Sequence, residues 1–182
     1  MSDKDYLWDK RHAVLQRIEL STLYHQKRER FFSVCDKLGN ALGVIGGSAA
    51  LASLSNPALL AWIALAITMV SSIALVFGFS DRARRHADLA KDFRLLEATV
   101  VRCGERDFIE QDISSWDASA RMLESTEPPA LGALVVLCQN ELARAQGQLG
   151  CVVKMNLMQR LFAHFVDFNV SASSVSAPNN VR

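Results

Sequence analysis

The pattern of hydrophobic and polar positions divides the chain into four parts. Residues 1–37 place Tyr6, Leu7, Val14, Leu15, Ile18, Leu23, Phe31, Phe32 and Cys35 at mixed three- and four-residue steps, with no proline or glycine before Gly39. That spacing predicts an amphipathic helix able to run straight into whatever follows. Residues 38–80 then break the alternation altogether: after Lys37 no Asp, Glu, Lys, Arg or His appears until Asp81. A soluble helix must show water at least one polar face, and this segment has none to show.

The uncharged stretch is too long for one membrane crossing and suits two. About 20 apolar residues span the hydrocarbon core at roughly 1.5 Å of rise each. Midway lies Ser53-Leu54-Ser55-Asn56-Pro57, where serine or asparagine can cap a helix and Pro57 suits a first helical turn. The expected spans are Leu38 to Leu54 and Ala58 to Phe79. The second carries Leu59, Leu60, Ile63, Leu65, Ile67, Val70, Ile73, Leu75, Val76 and Phe77 all round its circumference. Trp62 near one end and Phe77 and Phe79 near the other fit interfacial aromatics. The competing reading is a hairpin buried at the centre of a soluble all-helical bundle.

Residues 81–168 return to amphipathic patterns. Leu89, Phe93, Leu96 and Val100 form a stripe that predicts continuation of the second span's helix to about Arg102. Further helices are expected over Arg106 to Leu123, over Leu131 to Gln146 with Leu134, Leu137, Cys138 and Leu142 inward, and over Val152 to Phe168. In the last, Met155, Met158, Leu161, Phe162 and Phe165 fall at i, i+3, i+4 and i+7 steps. Residues 169–182 are rich in Ser, Ala, Asn and Pro, which predicts a flexible tail.

Charge then fixes the expected topology. Lys27, Arg28, Arg30 and Lys37 precede the first span and Arg82, Arg84 and Arg85 follow the second, while the turn between is uncharged. The lysine and arginine bias places both termini in the cytoplasm, as a multi-pass membrane protein. The three arginines also suit anionic lipid or snorkelling beside the span. A formal net charge of +1 argues against nucleic-acid binding.

Within the spans, Gly39, Gly43 and Gly47 repeat every four residues, with Gly46 and Ala50 continuing the small surface, which predicts close helix packing within the hairpin and between copies. Asn40, Ser48, Thr68, Ser71 and Ser72 are the polar exceptions. They suit hydrogen bonds across or along helices, or the lining of a narrow path in an oligomer, since two spans cannot enclose a channel alone. No ionisable residue lies at depth, against a proton-coupled pump.

The search for catalytic chemistry is nearly empty, and the chain is read as a non-enzyme without cofactor or metal. Cys35, Cys103, Cys138 and Cys151 lack ligand spacing and are expected as reduced packing residues. His12, His25, His86 and His164 are dispersed, and His25 and His86 are expected at lipid headgroups beside the basic clusters. No cleavable signal peptide is evident in the charged first thirty residues.

The arrangement resembles the SLATT family of two-transmembrane effector domains associated with nucleotide-signalling defence systems in bacteria. The resemblance runs through Tyr24-His25-Gln26-Lys27-Arg28-Glu29-Arg30, the short hairpin, Asp81-Arg82-Ala83-Arg84-Arg85-His86, Phe93-Arg94-Leu95-Leu96-Glu97, Glu127-Pro128-Pro129 and Asn140-Glu141-Leu142, covering about residues 10 to 168. It implies an all-α, multi-pass protein of the bacterial inner membrane that forms an oligomeric pore or otherwise compromises that membrane once a sensor or inhibitory partner is triggered. The alternative is a non-toxic membrane anchor whose cytoplasmic helices recruit a partner protein.

Overall fold

The computed structural model describes residues 3–52, 54–105, 107–165 and 167. Among these the fold is entirely helical: α1 (Asp3–Ala52), α2 (Pro57–Phe77), α3 (Phe79–Arg102), α4 (Glu110–Glu124), α5 (Gly132–Ala145) and α6 (Leu157–Phe162), with a 3-10 turn at Leu149–Cys151. The expected flexible tail and residues Ser53 and Arg106 lie outside the described residues. The chain divides into two compact units, one built from residues up to His25 and from Leu89 onward, the other from Gln26–Asp88.

The first unit is a helical domain with two apolar clusters. Val14 and Ile18 of α1 meet Phe93 and Val100 of α3 and Ile113, Trp116 and Ala120 of α4. These are the amphipathic stripes read from the sequence, buried because helices so patterned must cover one face. The second cluster joins Tyr24 to Ala133, Leu134 and Cys138 of α5 and to Ala163. Arg17 ties α1 to α4, with Nη2 2.6 Å from Asp117 Oδ1 and Nε 2.9 Å from Glu124 Oε1. Arg121 and then Arg17 hold the Asp117 carboxyl below its usual value. Glu19 goes the other way, raised first by burial and then by the nearby charge of Glu97.

Several element boundaries differ from the sequence expectation, each for a local reason. α4 begins at Glu110, where the Asp112 carboxylate accepts a hydrogen bond from Ile109 N at 2.9 Å. Of the helix expected over Val152 to Phe168, Val166 and Phe168 lie outside the described residues, and the first five residues are not helical. There the buried Asn140 side chain engages the backbone of Val153 in both directions, accepting from its N–H at 2.7 Å and donating to its carbonyl at 2.8 Å. An amide that satisfies a peptide group this way removes that group from helical pairing. Only Leu157–Phe162 coils, capped by Asn156 and Gln159. The expected inward face of α5 is half right: Leu134 and Cys138 are buried, joined by Ala133, Asn140 and Ala143.

The second unit is an antiparallel helical hairpin. α1 passes from the first unit into it without interruption, as its lack of early glycine or proline predicts. The reversal follows the expected chemistry: Asn56 caps α2 by accepting from Leu59 N at 3.2 Å, and Pro57 occupies the first turn. The return path differs from expectation. α2 and α3 are separate helices, because Gly78 takes a left-handed conformation (φ 54, ψ 50) between them. Its N–H bonds Ala74 O at 3.0 Å, and its own carbonyl accepts from Arg82 N at 3.1 Å, so one helix ends and the next begins on a single residue.

Candidate functional site: the apolar hairpin and its charged end

α2 has no buried residue, although its composition is that of a protein interior. Val76 and Leu75 are 80% and 84% exposed, and Trp62 is 71% exposed. This chain by itself does not bury those side chains, as a soluble bundle built around the hairpin would. An apolar surface this extensive requires lipid or another chain to cover it. Among the described residues, one helix run, Pro57–Arg102, contains a window long and apolar enough to cross a membrane, with a mean hydropathy of 2.4. The uncharged end of α1 is shorter, because α1 stops at Ala52, and it is diluted by Gly39, Asn40, Gly43, Gly46, Gly47 and Ser48.

The small residues of α1 divide into two sets. A methyl group built on Gly46 would lie 2.6 Å from Ile67 Cγ1 and 2.9 Å from its Cδ1, so the two backbones approach here because the side chain is absent. A methyl on Gly39 would meet Ala74 Cβ at 3.8 Å, an ordinary contact. These two positions set the register. Moving seven residues back along α1 from Gly46 to Gly39 moves seven forward along α2 from Ile67 to Ala74. Gly43 and Gly47 face open space, with nothing within 4 Å of an added methyl. Ala50 is half-buried. The four-residue repeat therefore does not pack as one face inside the hairpin. Gly46, placed beside the stripe by the sequence reading, makes the tightest contact.

The polar residues mostly bond within their own helix. Ser48 Oγ donates to Val44 O at 3.0 Å and Thr68 Oγ1 to Ala64 O at 2.8 Å, which satisfies each hydroxyl without a partner helix. Asn40 donates to Asp36 Oδ2 at 3.4 Å, one turn earlier. Ser71 and Ser72 are exposed on α2. The bonds of Asn40, Ser48 and Thr68 thus run along their own helices and do not tie α1 to α2.

At the charged end an aromatic stack closes the unit. Phe32 is buried, with its ring 5.6 Å from His86 at an interplanar angle of 14° and 6.4 Å from Phe79 at 27°. The Arg28 guanidinium lies 4.5 Å from the centre of the same ring and that of Arg82 5.9 Å. Such cation–ring contacts contribute about 0.5–1 kcal/mol each where exposed. Phe77 stacks on Phe79 across Gly78 at 5.7 Å. Arg30, Lys37, Arg82, Arg84 and Arg85 are exposed, and Lys27 and Arg28 are half-buried.

The two histidines correct the sequence expectation of headgroup contact. His86 is buried against Phe32, and His25 is fully buried in the first unit. His25 stacks on Phe93 at 5.9 Å and places Nε2 3.1 Å from Glu127 Oε1. Both sit inward because their rings complete aromatic clusters. Of the cysteines, Cys138 is buried and Cys35 half-buried, its thiol raised by burial, whereas Cys103 and Cys151 are exposed rather than packed.

A sequence reader could have found Gly46 from its seven-residue distance to Gly39. On an α-helix seven residues return to within about 20° of the starting face, whereas two four-residue steps drift by about 80°. The Phe32 stack and the Gly78 break carry no comparable signal. Comparison of the chain with protein-family models, with curated proteins and with solved structures finds no match, so the functional reading rests on the chain's own residues.

Proposed function

We propose that the end of α1 and α2 cross a bacterial inner membrane as a two-span hairpin with both termini cytoplasmic, and that copies assemble into a pore or membrane-disrupting effector. The observation that carries this reading is the division of the glycines. Gly39 and Gly46 are consumed inside the hairpin, whereas Gly43 and Gly47 leave a second small surface open on the same helix. In lipid, backbone approach across small residues is a main source of helix association, and an open glycine pair admits a neighbouring helix. The basic residues Lys27, Arg28, Arg30, Lys37, Arg82, Arg84 and Arg85 flank only the charged end, which supports the cytoplasmic assignment of both termini.

The resemblance to the SLATT family supports placing this effector in a bacterial defence system, triggered through a sensor or inhibitory protein. The proposal assigns contact with such a partner to the first unit, which packs around its own two clusters. No covalent chemistry enters the proposal. Its action is permeation, gated by assembly.

The test is a membrane-potential dye on induced cells, paired with the size of the detergent-solubilised protein. The wild-type chain should depolarise cells and run as a multiple of 20.1 kDa. Gly43→Leu with Gly47→Leu should abolish both while the protein remains membrane-inserted and helical. An unchanged potential at full expression would refute the effector reading and leave the anchor, whose cytoplasmic unit should then still capture a protein.

A further inference from the structure

The segment from Leu149 to Phe165 presents apolar side chains outward from a rigid mount. Leu157, Met158, Leu161, Phe162 and Phe165 are all exposed, Leu157 at 67% and Phe165 at 65%. Met158, Leu161, Phe162 and Phe165 belong to the helically spaced apolar set read from the sequence. The turn of α6 places them together on one side, and buried Ala163 holds the opposite side against the second cluster. Two further ties fix the segment. Asn140 grips Val153 at one end, and at the other the Asp167 carboxylate accepts from Gly132 N at 2.8 Å, at the start of α5. The apolar face is therefore displayed by a folded support, at low ordering cost to any partner.

Charge says what covers it. From Leu142 to Val166 there is no Asp or Glu, while Arg144, Lys154 and Arg160 are present. Lys154 and Arg160 are exposed, and Arg160 shares α6 with the apolar residues. A second copy laid on this surface would bring like charges together. An acidic, partly apolar surface meets both features at once, and the surface of an anionic bilayer is such a partner.

We propose that Leu149 to Phe165 is an in-plane membrane contact that seats on anionic lipid, separate from the hairpin and from the arginines of α3. This rests on the reading of the chain as a membrane protein, and the two are tested apart.

The full chain carries Met158→Cys with Cys35→Ser, Cys103→Ser and Cys151→Ser, and Cys138 stays unlabelled because it is fully buried. An environment-sensitive fluorophore on residue 158 is read by acrylamide quenching in vesicles of phosphatidylcholine alone or mixed with phosphatidylglycerol. Shielding should appear with phosphatidylglycerol and be independent of the protein-to-lipid ratio. Adding Lys154→Gln and Arg160→Gln should weaken the shielded state by about fivefold per charge removed. A label equally accessible in both lipids overturns the proposal, as does equal shielding in both. Shielding that grows with protein density assigns the surface to a second copy and also overturns it. Alkaline extraction of the same vesicles separates the two readings: protein that washes off refutes the membrane reading itself, whereas retained protein with a wet label refutes this contact alone.

Discussion

Replacing Gly46 by alanine adds one methyl group at the closest approach of α1 and α2. That carbon would sit 2.6 Å from Ile67 Cγ1 and 2.9 Å from Cδ1, against an optimal carbon separation of about 3.5–4.0 Å. Relief requires about 1 Å of movement. Ile67 is β-branched and in a helix holds one χ1 well about nine times in ten, so rotating it away is unfavourable. Moving the helices apart instead forfeits a quarter to a half of the dispersion energy of contacts that open by that much. Overpacking of this kind costs about 1–3 kcal/mol. Alanine also gains about 0.8–1.0 kcal/mol of helix propensity over glycine, and that gain is shared by Gly43→Ala, which meets nothing. The difference between the two variants isolates the steric part. The assay is unfolding of the full chain in mixed detergent micelles by increasing dodecyl sulfate, followed by energy transfer between labels on the two hairpin helices. Gly46→Ala should be the less stable of the pair by about 1–3 kcal/mol, and Ile67→Ala should remove most of that difference by deleting the clashing carbons. Equal stability of Gly46→Ala and Gly43→Ala, or no rescue by Ile67→Ala, would refute the assigned register.

Four other outcomes follow from local geometry. Gly78→Ala forces a side chain into the left-handed conformation and should cost about 1–2 kcal/mol in thermal stability, with Gly78→Asn costing less. Asn140→Leu strands both polar groups of the Val153 peptide and should cost about 1–3 kcal/mol, read most directly as faster amide exchange at Val153. Asp117 is depressed, so its contribution is present above its unfolded value and lost as pH falls through the lower folded one; Asp117→Asn should lower the melting temperature at neutral pH, with the deficit shrinking in strong acid. Glu19 is raised, so folding binds its proton more tightly and its contribution is lost as pH rises through the folded value. Glu19→Gln should therefore raise the melting temperature at neutral pH, and the gain should vanish below the ordinary glutamate range.

What the sequence made legible depended on how local each determinant is. The charge-free segment and the Asn56–Pro57 reversal are written in consecutive residues, so the hairpin's outline and the cap of α2 could be read directly. The stripe of Leu89, Phe93, Leu96 and Val100 repeats at helical period, and it packs as read. The misreadings come from contacts distant in sequence. Asn140 reshapes Val153, Phe32 draws His86 inward and Glu127 meets His25 of α1. Nothing near those residues in the chain announces the partner. Glycine spacing was visible, but which glycines pack depends on the opposing Ile67 and Ala74.

The reversal at Asn56 and Pro57 bears on how such a chain reaches its place. Asn56 closes the exposed start of α2 with its own side chain, and the turn around it carries no charge. Driving one lysine, arginine or aspartate to the bilayer centre costs about 2.5–3.5 kcal/mol on insertion scales. This tip has none to carry across. Under the proposed two-span reading, the tip crosses the bilayer without dragging a charged side chain through it, and no hydrophilic domain has to follow.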